Sequence, residues 1–181
     1  ICRWMVKTRR APDNPLGCLP FLNSRTDTRH GRRILSEEHM RTLLTATATA
    51  PTRFGMTGPE RRVLYTLAVG SGLRANELRS LRPDSFDLDA ATVTVAAAYS
   101  KHRREDVQPL PAGIVRELRT YLADLPKTKP AFNMPSKWRT ADMLRADLRL
   151  ARARWIRAVA DGKERRERRE SDDLRYRDNA G

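Results

Sequence analysis

Gly70-Ser71-Gly72-Leu73-Arg74-Ala75-Asn76-Glu77-Leu78 lies between two helical patterns, and the fold turns on how it is read. Val63, Leu64, Leu67 and Ala68 recur at helical spacing before it, and Leu78 and Leu81 continue an apolar face after it. Gly70 and Gly72 can both take positive φ where the first helix ends. Arg74 then opens the next helix, with Glu77 one turn along the same face. An arginine held by a carboxylate near a helix N-terminus suits the gripping of an anion. On an exposed surface the same pair is worth only about 0.2–0.5 kcal/mol. Nine residues alone leave both readings open.

A second stretch decides between them. Thr92-Val93-Thr94-Val95 alternates like a strand, Tyr99-Ser100-Lys101-His102-Arg103-Arg104 interrupts it, and Val107-Gln108-Pro109-Leu110-Pro111 resumes it. A basic hairpin with Lys101 in its turn therefore follows the arginine box.

Together the two motifs resemble the first half of the catalytic domain of tyrosine recombinases, the phage-integrase family. That family's box reads roughly Thr/Ser-Gly-Leu-Arg-x-x-Glu-Leu, and Ser71 to Leu78 contains all of it. The resemblance runs from about Ile34 to Ile156, and more weakly back to Trp4. It implies an α+β, mainly α fold: the N-terminal half of a helical catalytic domain carrying a small three-stranded antiparallel sheet. It also implies double-stranded DNA as partner, and a parent that works as a homo-tetramer on DNA. Four segments follow. Residues 1–20 read as the last helix of an N-terminal DNA-clamping domain, 21–33 as a basic linker, 34–160 as a partial catalytic domain, and 161–181 as a mixed-charge helical or disordered tail.

The chemistry implied is transesterification through a 3′-phosphotyrosine. It needs charge stabilised on the non-bridging oxygens, a proton for the leaving 5′-oxygen, and an in-line nucleophile. By the resemblance Arg74 takes the first task, supported by Glu77, because a guanidinium can hold two phosphate oxygens at once. Lys101 takes the second. An ordinary lysine has a pKa of about 10.4, and the neighbouring Arg103 and Arg104 would make it a better acid. Arg32, Arg33, Ser100, His102, Arg103 and Arg104 are the expected DNA contacts. No cofactor or metal is expected: there is no P-loop, dinucleotide fingerprint or zinc spacing.

The family also uses a His-x-x-Arg-His box, a later His or Trp, and a nucleophilic tyrosine. None of these is read after Trp155. His30, His39 and His102 all precede residue 103. Tyr65 and Tyr121 sit on apolar helix faces, Tyr99 neighbours the hairpin turn, and Tyr176 lies in a charged tail ahead of where the box would begin. The chain also starts at Ile1 rather than methionine. The expectation is a fragment that stops before the second half of its active site and cannot cleave DNA alone.

Composition agrees with a nucleic-acid partner. The net charge is +14 over 181 residues, which favours a polyanion. Residues 1–58 hold 10 basic and 4 acidic side chains, residues 59–160 hold 19 and 11, and residues 161–181 hold 7 of each. The arginine-rich tail is thus of mixed charge. No apolar run approaches the roughly 20 residues of a membrane helix, and no signal peptide is visible. Cys2 and Cys18 have no metal-binding companions and read as free thiols. A DNA-associated bacterial or phage protein of the cytoplasm is the corresponding expectation. A non-catalytic basic helical module that coats nucleic acid is the chief alternative, and a ribosome-associated structural protein a weaker one. Neither needs Arg74, Glu77 and Lys101 together.

Local signals place the remaining elements. Ser36 is an N-cap with Glu37 and Glu38 in the first turn, and Pro59 suits the start of the helix running to Gly70. Pro83 to Asp89 reads as a short strand and a turn, and Ala112 to Leu122 as an amphipathic helix. Thr140 is expected to cap the longest helix, with Met143, Leu144, Leu148, Ala151, Trp155 and Ile156 as its apolar stripe. Its other face, Arg145, Arg149, Arg152 and Arg154, reads as solvated more readily than as a DNA contact.

Overall fold

A computed structural model describes residues 2–18, 34–100 and 103–176 of the chain. They fall into two units, Ile1–Ile34 and Leu35–Gly181. In the first, helix α1 (Cys2–Lys7) ends in a turn where the Arg10 guanidinium lies 4.5 Å over the Trp4 ring. The Asn14 side chain accepts a hydrogen bond from the Leu16 amide at 3.2 Å, which turns the chain at Asn14-Pro15-Leu16. Linker residues Arg32 and Arg33 lie outside the described residues, as do Lys101 and His102.

The second unit is mainly helical. It runs α2 (Glu37–Ala48), α3 (Gly58–Ser71), α4 (Ala75–Ser80), a 3-10 turn at Pro83–Ser85, β1 (Phe86–Asp87), β2 (Thr92–Val95), β3 (Asp106–Pro109), α5 (Ala112–Leu122), α6 (Thr140–Arg157) and α7 (Gly162–Glu170). The helix starts follow their caps. Ser36 accepts from the His39 amide at 3.2 Å. Thr57 and Glu60 bond each other's backbone amides reciprocally, with Pro59 inside the first turn. α3 begins close against the end of α2: a Cβ on Gly58 would stand 2.5 Å from the Ala50 carbonyl oxygen, so only glycine fits there.

The sheet is antiparallel in the order β1-β2-β3, with Phe86 opposite Val93 and Val95 opposite Asp106. Val93 and Val95 point one way and are buried, as period-2 alternation requires. They join Leu64, Leu67, Leu78, Leu81, Leu118 and Phe132 in the larger core, which seats α3, α4, α5 and the sheet together. A second core, Leu43, Ala46, Leu148, Ala151 and Leu174, lies between α2, α6 and the chain after α7.

Four local expectations change. Of the two glycines ending α3, only Gly72 takes positive φ, at 68°; Gly70 stays inside the helix. Pro83 to Ser85 form a 3-10 turn rather than strand. Thr140 is the first residue of α6, not its cap: its hydroxyl donates to the Ser136 carbonyl at 3.2 Å. The arginine face of α6 is not simply solvated either. Arg152 donates to the backbone carbonyls of Arg168, Arg169, Ser171 and Asp173, folding the tail onto the helix. Arg154 donates to the Ala46 carbonyl at the end of α2.

The deepest polar contact joins α3 to α6. Arg61 and Asp147 have side chains with 0% exposure, and their two parallel bonds measure 2.8 and 3.1 Å. Arg61 also donates to the carbonyls of Met56 and Pro51, and the Tyr65 hydroxyl donates to Asp147 at 2.9 Å. Burial, and then the charge of Asp147, push the Tyr65 hydroxyl above its ordinary range. In the unfolded chain that hydroxyl ionises near pH 10; in the folded chain it keeps its proton. The unfolded state therefore binds fewer protons above about pH 10, and stability is expected to fall there. Urea midpoints between pH 8 and 11 should show a decline that Tyr65→Phe makes shallower; equal slopes would refute it.

Candidate nucleic-acid interface

Gly72 ends α3 in the left-handed conformation, and Leu73 turns into the core. The chain thus reaches Arg74 extended, at φ −75° and ψ 155°, in the N-cap position of α4. The Arg74 amide donates to Glu77 Oε2 at 2.7 Å, and its guanidinium Nη1 to Oε1 of the same carboxylate at 3.2 Å. The two side chains differ sharply in exposure, 60% for Arg74 and 8% for Glu77. A buried carboxylate thus steers a guanidinium whose outer edge faces solvent. That is the asymmetry an anion grip needs, and an ordinary surface ion pair lacks it.

Arg74 opens onto a cavity of about 400 Å³ that Asn76, Glu77, Arg79, Tyr99, Lys137 and Thr140 also line. Arg79 is turned inward. It donates to Asn76 Oδ1 at 3.0 Å, to the Pro135 carbonyl at 2.9 Å and to Thr140 Oγ1 at 2.8 Å. Tyr99, from the β2–β3 connection, stands in this cavity rather than merely near the turn.

Of the expected site residues, Arg74 and Glu77 are brought together as read. Ser100 is buried; its amide donates to the Ala96 carbonyl and its carbonyl accepts from the Arg103 amide. Arg103 (φ 54°) and Arg104 are exposed on the same connection. Lys101, His102, Arg32 and Arg33 fall outside the described residues. Lys137 and Thr140 come from the far side of the sequence, and no local spacing announces them.

A second cavity, about 460 Å³, lies between α6 and the tail, lined by Arg145, Arg149, Arg152, Leu174, Arg175 and Tyr176. Arg145 pairs with Asp142 at 2.8 Å and stacks over the Tyr176 ring at 4.3 Å. Burial, and then the nearby Arg175, draw the Arg152 guanidinium below its ordinary value. Among the described residues no cluster of His, Cys, Asp and Glu could hold a metal ion, and no helix is long and apolar enough to cross a membrane.

Residues 33–175 match the sequence profile of the Phage integrase family. Two solved structures share the fold. One is a XerA recombinase, with 17% identity and a TM-score of 0.50 over 67% of this chain and 44% of that one. The other is an integrase from mycobacterium phage Brujita, with 17% identity and a TM-score of 0.50 over 83% of this chain and 47% of that one. The chain thus spans less than half the length of either. No curated protein sequence matches it. The family match passes Ile156 and ends inside Asp172-Asp173-Leu174-Arg175-Tyr176. By spacing alone, that stretch sets Arg175 where His-x-x-Arg-His has its arginine, with Asp172 and Tyr176 where the pattern has histidines.

Proposed function

The chain belongs to the phage integrase family, and on that premise we propose that it is a DNA-binding portion of a site-specific tyrosine recombinase. The observation that carries this reading is the exposed Arg74 held by the buried Glu77 at the mouth of a cavity. Its guanidinium takes two non-bridging oxygens of a backbone phosphodiester and balances the charge that builds on them during transesterification. Lys101, on the β2–β3 connection, protonates the leaving 5′-oxygen, while Arg103, Arg104 and His102 follow the backbone beside it; Ser100, being buried, is not among these contacts. Residues 1–20 and the linker arginines Arg32 and Arg33 belong to a clamp on the duplex. In the parent enzyme, a tetramer on DNA, strands break and rejoin through a 3′-phosphotyrosine during integration or a related exchange.

This polypeptide binds DNA without cutting it. Arg175, in the box-like stretch, lines the second cavity while Arg74 lines the first. Two arginines that act on one phosphate must converge on it, and misplacement by an ångström costs about 10²-fold. Asp172 and Tyr176 are also poor stand-ins for the box's two histidines, since an aspartate repels phosphate. None of the four tyrosines matches the family's nucleophile.

Anisotropy titration of a labelled duplex tests the binding half. Arg74→Ala is expected to remove about 1.5–3 kcal/mol, the worth of charged hydrogen bonds; unchanged affinity would refute the role of Arg74. A nicked suicide substrate tests the cutting half: no covalent 3′-phosphotyrosyl adduct is expected, and one mapped to Tyr99 or Tyr176 would overturn the reading.

A further inference from the structure

We propose that Lys137 is a second phosphate-gripping cation of the Arg74 cavity, and that Arg79 is the residue that positions it. The proposal rests on reading that cavity as a DNA phosphate site. Arg74, Arg79 and Lys137 bring three positive charges to it, and among the described lining residues Glu77 is the one carboxylate. Both oxygens of that carboxylate already bond Arg74. Both terminal nitrogens of Arg79 bond protein acceptors and its Nε is buried, so the cationic groups turned to a ligand are those of Arg74 and Lys137.

Lys137 reaches the cavity from the loop that leads into α6, and one side chain fixes that loop at both ends. Arg79 Nη2 donates to the Pro135 carbonyl at 2.9 Å and to Thr140 Oγ1 at 2.8 Å. Arg79 itself stands on α4, the short helix that Arg74 caps. The clasp therefore ties the Lys137 loop to the same rigid turn that sets Arg74. The Lys137 ammonium lies 4.7 Å over the ring of Trp138. An aromatic face steadies a cation without neutralising it, unlike a carboxylate, so the charge remains available. A lysine so placed acts as a point charge beside the arginine fork.

A short labelled duplex titrated over a range of salt concentrations provides the test. Each neutralised phosphate contributes about 0.9 to the slope of log K against log salt. Lys137→Ala is expected to lower the slope by that amount, while Lys129→Ala, at an exposed lysine lining neither cavity, leaves it unchanged. Arg79→Met should lower it equally, and adding Lys137→Ala to Arg79→Met should then change nothing more. If Arg74→Ala lowers the slope and Lys137→Ala does not, the assignment of Lys137 is overturned. If neither lowers it, the reading of the cavity as a phosphate site fails first. Should Arg79→Met and Lys137→Ala add, Arg79 does not position Lys137. Lys137 is exposed, so its variant stays informative even if Arg79→Met does not fold.

Discussion

Replacing Asp147 with alanine is expected to destabilise the domain by about 3–5 kcal/mol, because it strands a buried guanidinium. Arg61 and Asp147 have no exposed side-chain surface, so water cannot replace the lost partner. Arg61 would retain the Met56 and Pro51 carbonyls but lose both carboxylate bonds, and the Tyr65 hydroxyl would lose its acceptor. Domains of this size are stable by only about 5–15 kcal/mol, so such a loss is a large fraction of the total. Urea denaturation should show a lower midpoint with an unchanged slope. The double change Arg61→Met with Asp147→Leu removes both charges and should stand closer to the wild type than Asp147→Ala. A single variant within 1 kcal/mol of wild type would show that the pair does not hold α3 to α6.

The second large effect concerns salt. With as few as six phosphate contacts, duplex affinity is expected to fall about 10³-fold between 50 and 200 mM salt, because each contact releases counterions. The net charge of +14 supplies the drive, but not every arginine takes part. Arg61 is buried in its ion pair, and Arg152 and Arg154 are engaged with backbone carbonyls of the protein itself. The cations proposed to meet phosphates are Arg32, Arg33, Arg74, Lys101, Arg103, Arg104 and Lys137. A loss of less than tenfold over that range, read by anisotropy, would mean that phosphate contacts do not drive the association.

Much of this was legible in the sequence because it is local. The cap at Ser36, Pro59 in the first turn of α3, the Gly72 stop and the alternation in Thr92–Val95 each depend on neighbours within a few residues. The Arg74–Glu77 contact is likewise one helical turn. What escaped depends on distant pairing. Arg61 sits in Glu60-Arg61-Arg62, which reads as a solvent face until Asp147 arrives from α6 to pair with it. Arg152 is part of an arginine-rich helix face, and nothing nearby shows that the tail folds back to offer it four carbonyls. Lys137 joins Arg74 only through the Arg79 clasp. Asp172-Asp173-Leu174-Arg175-Tyr176 is a different case, since it has the spacing of the box's arginine but neither of the histidines by which the box is read.

The claim that Arg74 grips a DNA phosphate is open to direct observation. In protein labelled with ¹⁵N at arginine, the side-chain Nε–H signal of Arg74 can be assigned by its loss in Arg74→Lys. On addition of a short duplex at low salt, that signal is expected to shift and its exchange with water to slow, as a guanidinium held between Glu77 and a phosphate requires. If other arginine signals move while that of Arg74 stays at its free position, the DNA binds elsewhere and the central assignment is wrong.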